Sequence, residues 1–126
     1  MAGLKNVMIV EDDPMIRDLY KYILIDGGYI VETASGADEL YSKLKVFQPE
    51  CVLLDIMLPG ISGIDILKDL RTDPAYKCEN AKIVLLTNLA DSKVTETAIN
   101  NGADGYVIKA DIMPKDLLDI IKSVED

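Results

Sequence analysis

The chain has 126 residues, enough for one domain with a core of sheet and helices. Its composition, 49% hydrophobic and 28% charged, excludes a disordered tail. A formal net charge of −9 argues against direct nucleic-acid binding, and the complete lack of histidine removes His-based triads and His metal sites.

No apolar run approaches the roughly 18 residues that a membrane span needs. The N-terminus passes straight into an apolar strand without a small-residue cleavage site, so a cytoplasmic chain with no signal peptide is expected. Cys51 and Cys78 form no CxxC or zinc pattern and read as reduced, packed thiols.

Strand-length apolar runs alternate with helix-length amphipathic ones. Lys5–Val10 is the first predicted strand. Pro14–Asp26 is the first helix, with Asp13 as N-cap, Pro14 at its first position and Gly27-Gly28 as its stop. Its stripe of Ile16, Leu19, Tyr20, Ile23 and Leu24 has 3.6-residue spacing. Tyr29–Ala34 follows as a strand, Gly36–Phe47 as a helix, and Cys51–Leu54 as a wholly apolar strand ending on Asp55. A turn-rich loop, Met57-Leu58-Pro59-Gly60-Ile61-Ser62-Gly63, leads into a helix over Ile64–Leu70. The remaining elements are a strand over Ala81–Leu86 ending on Thr87, a helix over Asp91–Asn101, a strand over Asp104–Ile108 ending on Lys109, and a helix over Pro114–Val124. Residues 1–126 therefore read as one domain with its core at about 6–124.

This alternation predicts parallel strands joined by right-handed crossovers, with helices on both faces. The expected fold is α/β, a doubly wound five-stranded sheet in the order 2-1-3-4-5. All C-terminal strand ends then share one edge, and strands one and three flank the switch point where ligands bind. The sequence places Glu11-Asp12-Asp13 after strand one, Asp55 after strand three, Thr87 after strand four and Lys109 after strand five. Asp12, Asp13 and Asp55 should converge, with Thr87 and Lys109 beside them. Two unit charges 4 Å apart interact by about 4 kcal/mol at an effective dielectric of 20, which Lys109 offsets only in part. The remainder calls for a hard cation, and ligands that are all oxygen select Mg²⁺, or Mn²⁺ in its place. A carboxylate nucleophile, a metal, a hydroxyl and an ammonium suit phosphoryl transfer.

These residues resemble the receiver domain of two-component response regulators. The carriers are V-M-I-V-E-D-D-P, C-V-L-L-D-I-M-L-P-G-I-S-G, I-V-L-L-T-N and G-Y-V-I-K, covering about Asn6 to Val124. The resemblance implies a CheY-like three-layer sandwich acting in phosphorelay signalling, not a turnover enzyme. Asp55 would take a phosphoryl group from the phosphohistidine of a sensor histidine kinase or phosphotransfer protein. Asp13, Asp55 and the backbone carbonyl of Met57 would bind Mg²⁺ directly, and Asp12 through a water. Lys109 would pair with the phosphate and Asp55. Thr87 and Tyr106 would form the switch, which passes the signal through the face of helix four, strand five and helix five to an unknown output protein or effector domain. A phosphorylation-dependent homodimer is a further implied state.

Two departures bear on this. Ala110 follows Lys109 where the family usually has a cis proline, and a cis non-proline bond costs about 3–4 kcal/mol. Asn88, where the family often has alanine, is expected to narrow phosphodonor access. Met57 and Leu89, apolar at positions that tune attack of water on the acyl phosphate, predict slow self-dephosphorylation. A fragment of a larger DNA-binding or enzymatic regulator remains an alternative. A flavodoxin-like cofactor binder fits less well, because Glu11-Asp12-Asp13 has the wrong charge for a phosphate loop. A Mg²⁺-dependent phosphohydrolase would need a second acid or base near Asp55.

Overall fold

The computed structural model describes residues 5–88 and 92–125. Five strands form one parallel sheet: β1 (Asn6–Val10), β2 (Ile30–Ala34), β3 (Cys51–Asp55), β4 (Lys82–Thr87) and β5 (Gly105–Ile108). Their order is β2-β1-β3-β4-β5, as expected. The crossovers carry α1 (Pro14–Asp26), α2 (Ala37–Lys43), α3 (Gly63–Thr72) and α4 (Ser92–Asn100), and α5 (Leu117–Val124) closes the chain.

Strand side chains alternate between faces, and this divides the core in two. Met8, Val10, Val52, Leu54, Ile83 and Leu85 pack with Leu40, Ile66, Leu67, Leu70 and Ala98 on the side of α2, α3 and α4. Val7, Ile9, Cys51, Leu53, Val84 and Leu86 pack with Tyr20, Leu24, Leu117 and Ile121 on the side of α1 and α5. Both cysteines are buried free thiols, and burial raises the pKa of Cys51 to about 12 and of Cys78 to about 11.

Helix ends follow local chemistry. Asp13 Oδ1 accepts from the N–H groups of Met15 and Ile16, and Pro14 occupies the first helical position. Ser62 caps α3 by accepting from Asp65 N–H at 3.3 Å. Two expected helices are shorter than their patterns. After Lys43, the amides of Lys45 and Val46 bond three residues back, to Ser42 and Lys43, so α2 loosens before Phe47. The Pro114 segment opens as a 3-10 turn, Pro114–Asp116, with Asp116 Oδ2 accepting from Met113 N–H at 2.8 Å. Among the described residues no peptide bond is cis, so Lys109–Ala110 is trans and Lys109 begins a 3-10 turn, Lys109–Asp111.

Candidate phosphoryl-acceptor site

The last registered pair between β1 and β3 is Val10 with Leu54. One step further come Glu11 and Asp55, which share the pleat face of Ile9 and Leu53. Lys109 lies two residues beyond Val107, which packs on that same face of the sheet. Three charged side chains therefore point to one side at the C-terminal edge. Lys109 Nζ lies 2.5 Å from Glu11 Oε1 and 2.9 Å from Asp55 Oδ2. Their side chains are 10%, 3% and 6% exposed respectively, so the cluster is largely shielded from solvent.

Each carboxylate is held by more than the lysine. Asp55 Oδ1 accepts from Met57 N–H at 2.9 Å, and Glu11 Oε2 from Asp13 N–H at 3.2 Å. Burial works against the Lys109 ammonium, but its hydrogen bonds to Glu11 and Asp55 and their charges outweigh it and raise the pKa. Burial raises the pKa of Glu11, with Lys109 opposing and the Asp55 charge adding to the rise. The phenol of Tyr20, buried on α1, is also raised by desolvation.

Glu11, Asp12 and Asp55 each offer one carboxylate oxygen within 4.8 Å of the others. Three acidic side chains with oxygens this close, and no nitrogen or sulfur donor among them, suit a small hard cation. Asp13, expected as a direct ligand, stands outside this group. It is exposed, and its Oδ1 serves the α1 N-terminus. The acidic residues that cluster with Asp55 are thus Glu11 and Asp12, whereas the sequence placed Asp12 and Asp13 there. Strand alternation could have signalled this, since Glu11 continues the Val7, Ile9 series that faces Cys51, Leu53 and Asp55.

The carboxylates line a cavity of about 250 Å³ whose rim includes Asp13, Ile16, Met57 and Asn88. Met57 is 59% exposed, and Asn88, also exposed, lines the same cavity. A larger hollow of about 560 Å³ between Gln48 and Lys82 lies at the opposite strand ends, and another of about 550 Å³, between Ser35 and Ile61, is lined by none of these charged residues. Thr87 is buried at the end of β4 and shares the pleat side of Ile83 and Leu85. Tyr106, registered with Leu85, is half-buried against the core on the α4 side, not on the α5 side. Leu89 lies outside the described residues.

Gly63 sets the loop that carries Asp55. A Cβ there would lie 2.3 Å from Asp55 O and 2.7 Å from Ile56 Cα, and Gly63 N–H donates to Ile56 O at 2.9 Å. Only glycine lets α3 approach this closely. Gly60, with φ of 86°, supplies the left-handed turn before it.

The family profile described as response regulator receiver domain matches residues 7–122. The DNA-binding response regulator MtrA of Mycolicibacterium smegmatis is 31% identical over 114 residues, which is 90% of this chain and 47% of that protein. A solved CheY-like receiver domain protein from Methanospirillum hungatei is 35% identical with a TM-score of 0.83, covering 96% of this chain and 93% of its own. Chemotaxis response regulator CheY4 of Vibrio cholerae is 27% identical with a TM-score of 0.85, covering 96% and 98%. The chain spans about half the length of the curated relatives it matches.

Proposed function

Because this chain belongs to the response regulator receiver domain family, we propose that it signals by accepting a phosphoryl group on Asp55. One observation carries the assignment: both oxygens of Asp55 are held, Oδ1 by Met57 N–H and Oδ2 by Lys109, at the floor of an acidic cavity. In the transfer, an Asp55 oxygen attacks phosphorus as the P–N bond of a donor phosphohistidine breaks. Lys109 follows the negative charge from the carboxylate to the new phosphoryl oxygens, and Thr87 hydrogen-bonds one of them. Such catalysis is mostly positioning and charge neutralisation.

The donor set is all oxygen and suits Mg²⁺, or Mn²⁺ in its place. Asp12, Asp55 and the Met57 carbonyl would hold the ion directly, and Glu11 through a water; Asp13 keeps its capping role. When bound, the metal supplies positive charge against the incoming phosphoryl oxygens. Incubation with acetyl phosphate and Mg²⁺ should add one phosphoryl group by intact mass, and Asp55→Asn should abolish it. Labelling that survives in Asp55→Asn defeats the assignment.

Receiver domains of response regulators are signalling domains, and this chain's finer roles follow from that. The donor is a sensor histidine kinase or phosphotransfer protein on the cytoplasmic side. Thr87 and Tyr106 share one pleat side near α4, which supports a switch read on the face of α4, β5 and α5. Nucleic-acid contact falls to an output partner, fused or separate, since the curated relatives, MtrA among them, are DNA-binding or transcriptional regulators of about twice the length. The phosphoryl group is long-lived, because Met57 and Leu89 cannot orient water by side-chain hydrogen bonds. A Met57→Asn, Leu89→Glu variant that decays no faster than wild type would refute this.

A further inference from the structure

Arg17 lies in the first turn of α1 and takes no part in the chemistry above. Its Nη1 donates to the backbone carbonyl of Glu11 at 2.9 Å and reaches that of Asp12 at 3.5 Å. The side chain is half-buried. We propose that Arg17 is a positioning residue for the metal pocket: it ties down the backbone of the two residues whose carboxylates face Asp55. The inference rests on the reading that Glu11, Asp12 and Asp55 hold the cation.

Beyond Val10 the chain leaves the sheet. Glu11 still bonds through its N–H to Ala34 O, but Asp12 is exposed, and the next helix starts only at Pro14. A carboxylate on such a segment binds a small octahedral ion well only if its backbone is fixed. Partners that orient metal ligands typically change affinity by about 10–100-fold when lost. The guanidinium contacts both carbonyls from a helix already anchored by its cap and by the burial of Tyr20 and Leu24.

The sign of the effect separates positioning from bare charge. As a positive charge, Arg17 opposes a nearby divalent cation, so removing it would tighten Mg²⁺ binding. As a strut, its removal loosens Asp12, a direct ligand, and Glu11, which acts through a water, and so weakens binding. Lysine keeps the charge but carries it as a strongly hydrated ammonium on a flexible stem, in place of the planar guanidinium whose Nη1 reaches both carbonyls.

The test is calorimetric titration of Mg²⁺ into the whole chain, with the electron paramagnetic resonance signal of free Mn²⁺ as a second readout, both well below melting. Arg17→Ala and Arg17→Lys should each raise the dissociation constant about tenfold. Urea unfolding in EDTA reports stability separately, because a merely structural role would move that midpoint and leave the affinity of the folded protein alone. If Arg17→Ala does not fold, Arg17→Lys decides. Wild-type-like or tighter binding by either folded variant overturns the inference while the site reading stands. Absence of Mg²⁺ binding by wild type overturns both.

Discussion

Replacing Lys109 with methionine keeps most of the volume and removes the charge between Glu11 and Asp55. The two carboxylates would then face each other with ligand oxygens within 4.8 Å and little exposure to water. Two negative charges at that distance repel by about 3.5 kcal/mol at an effective dielectric of 20. Removing one partner of a buried ion pair costs about 3–5 kcal/mol. Urea unfolding in EDTA should therefore show Lys109→Met destabilised by about 3–5 kcal/mol. Adding Glu11→Gln to the same chain removes one of the stranded charges and should recover most of that loss. Mg²⁺ should stabilise wild type by about 1.4 kcal/mol at ten times its dissociation constant, and Lys109→Met by more, since no ammonium competes there. The electrostatic account fails if the single variant stays within about 1 kcal/mol of wild type, or if the double variant is as unstable as the single.

Gly63→Ala forces a Cβ into the Asp55 carbonyl and Ile56 backbone and should cost about 1–3 kcal/mol, whereas Gly36→Ala, with nothing within 4 Å, should stay within about 0.5 kcal/mol. Equal urea midpoints for the two would contradict the close-approach reading of Gly63. Arg71 donates to the carbonyls of Gly102, Cys78, Glu79 and Ala81 and pairs with Asp104 at 2.7 Å. Arg71→Ala should cost about 2–4 kcal/mol and lower amide-exchange protection along β4 and β5, without rescue by lysine. The Glu50 carboxylate accepts from the N–H groups of Asn6 and Lys5, which hold its pKa below the ordinary 4.5. A depressed folded pKa stabilises above the unfolded value and is lost as pH falls through the folded one. Glu50→Gln should thus be less stable than wild type at neutral pH and match it in acid; a gap that does not change with pH would exclude the linkage.

The fold was legible because its signals repeat. Five apolar strands, amphipathic crossovers and glycine or proline stops all point to one parallel sheet, and the observed order agrees. The placement of Asp55 and Lys109 was legible for the same reason, since each directly ends an apolar run. The misplaced element was the acidic pair. Three consecutive acids follow β1, and a count of charges cannot say which two turn inward. Two physical rules decide it. Strand alternation carries Glu11 onto the pleat side of Ile9, opposite Asp55 and within reach of Lys109. Helix capping draws Asp13 outward, because the amides of Met15 and Ile16 need an acceptor and Pro14 fixes where the helix begins. Asp12, between these two demands, offers its free carboxylate to the group formed by Glu11 and Asp55. Arg17 was illegible for a different reason, and Gly63, legible as a loop glycine, was not legible as a close approach. Their contacts are to backbone atoms of Glu11, Asp12, Asp55 and Ile56, and no periodicity of side chains encodes those distances. Replacing the cap tests this division of labour: Asp13→Ser keeps an N-cap and should leave Mg²⁺ affinity near wild type, whereas Asp12→Ser should abolish it. Equal losses from the two would return Asp13 to the metal.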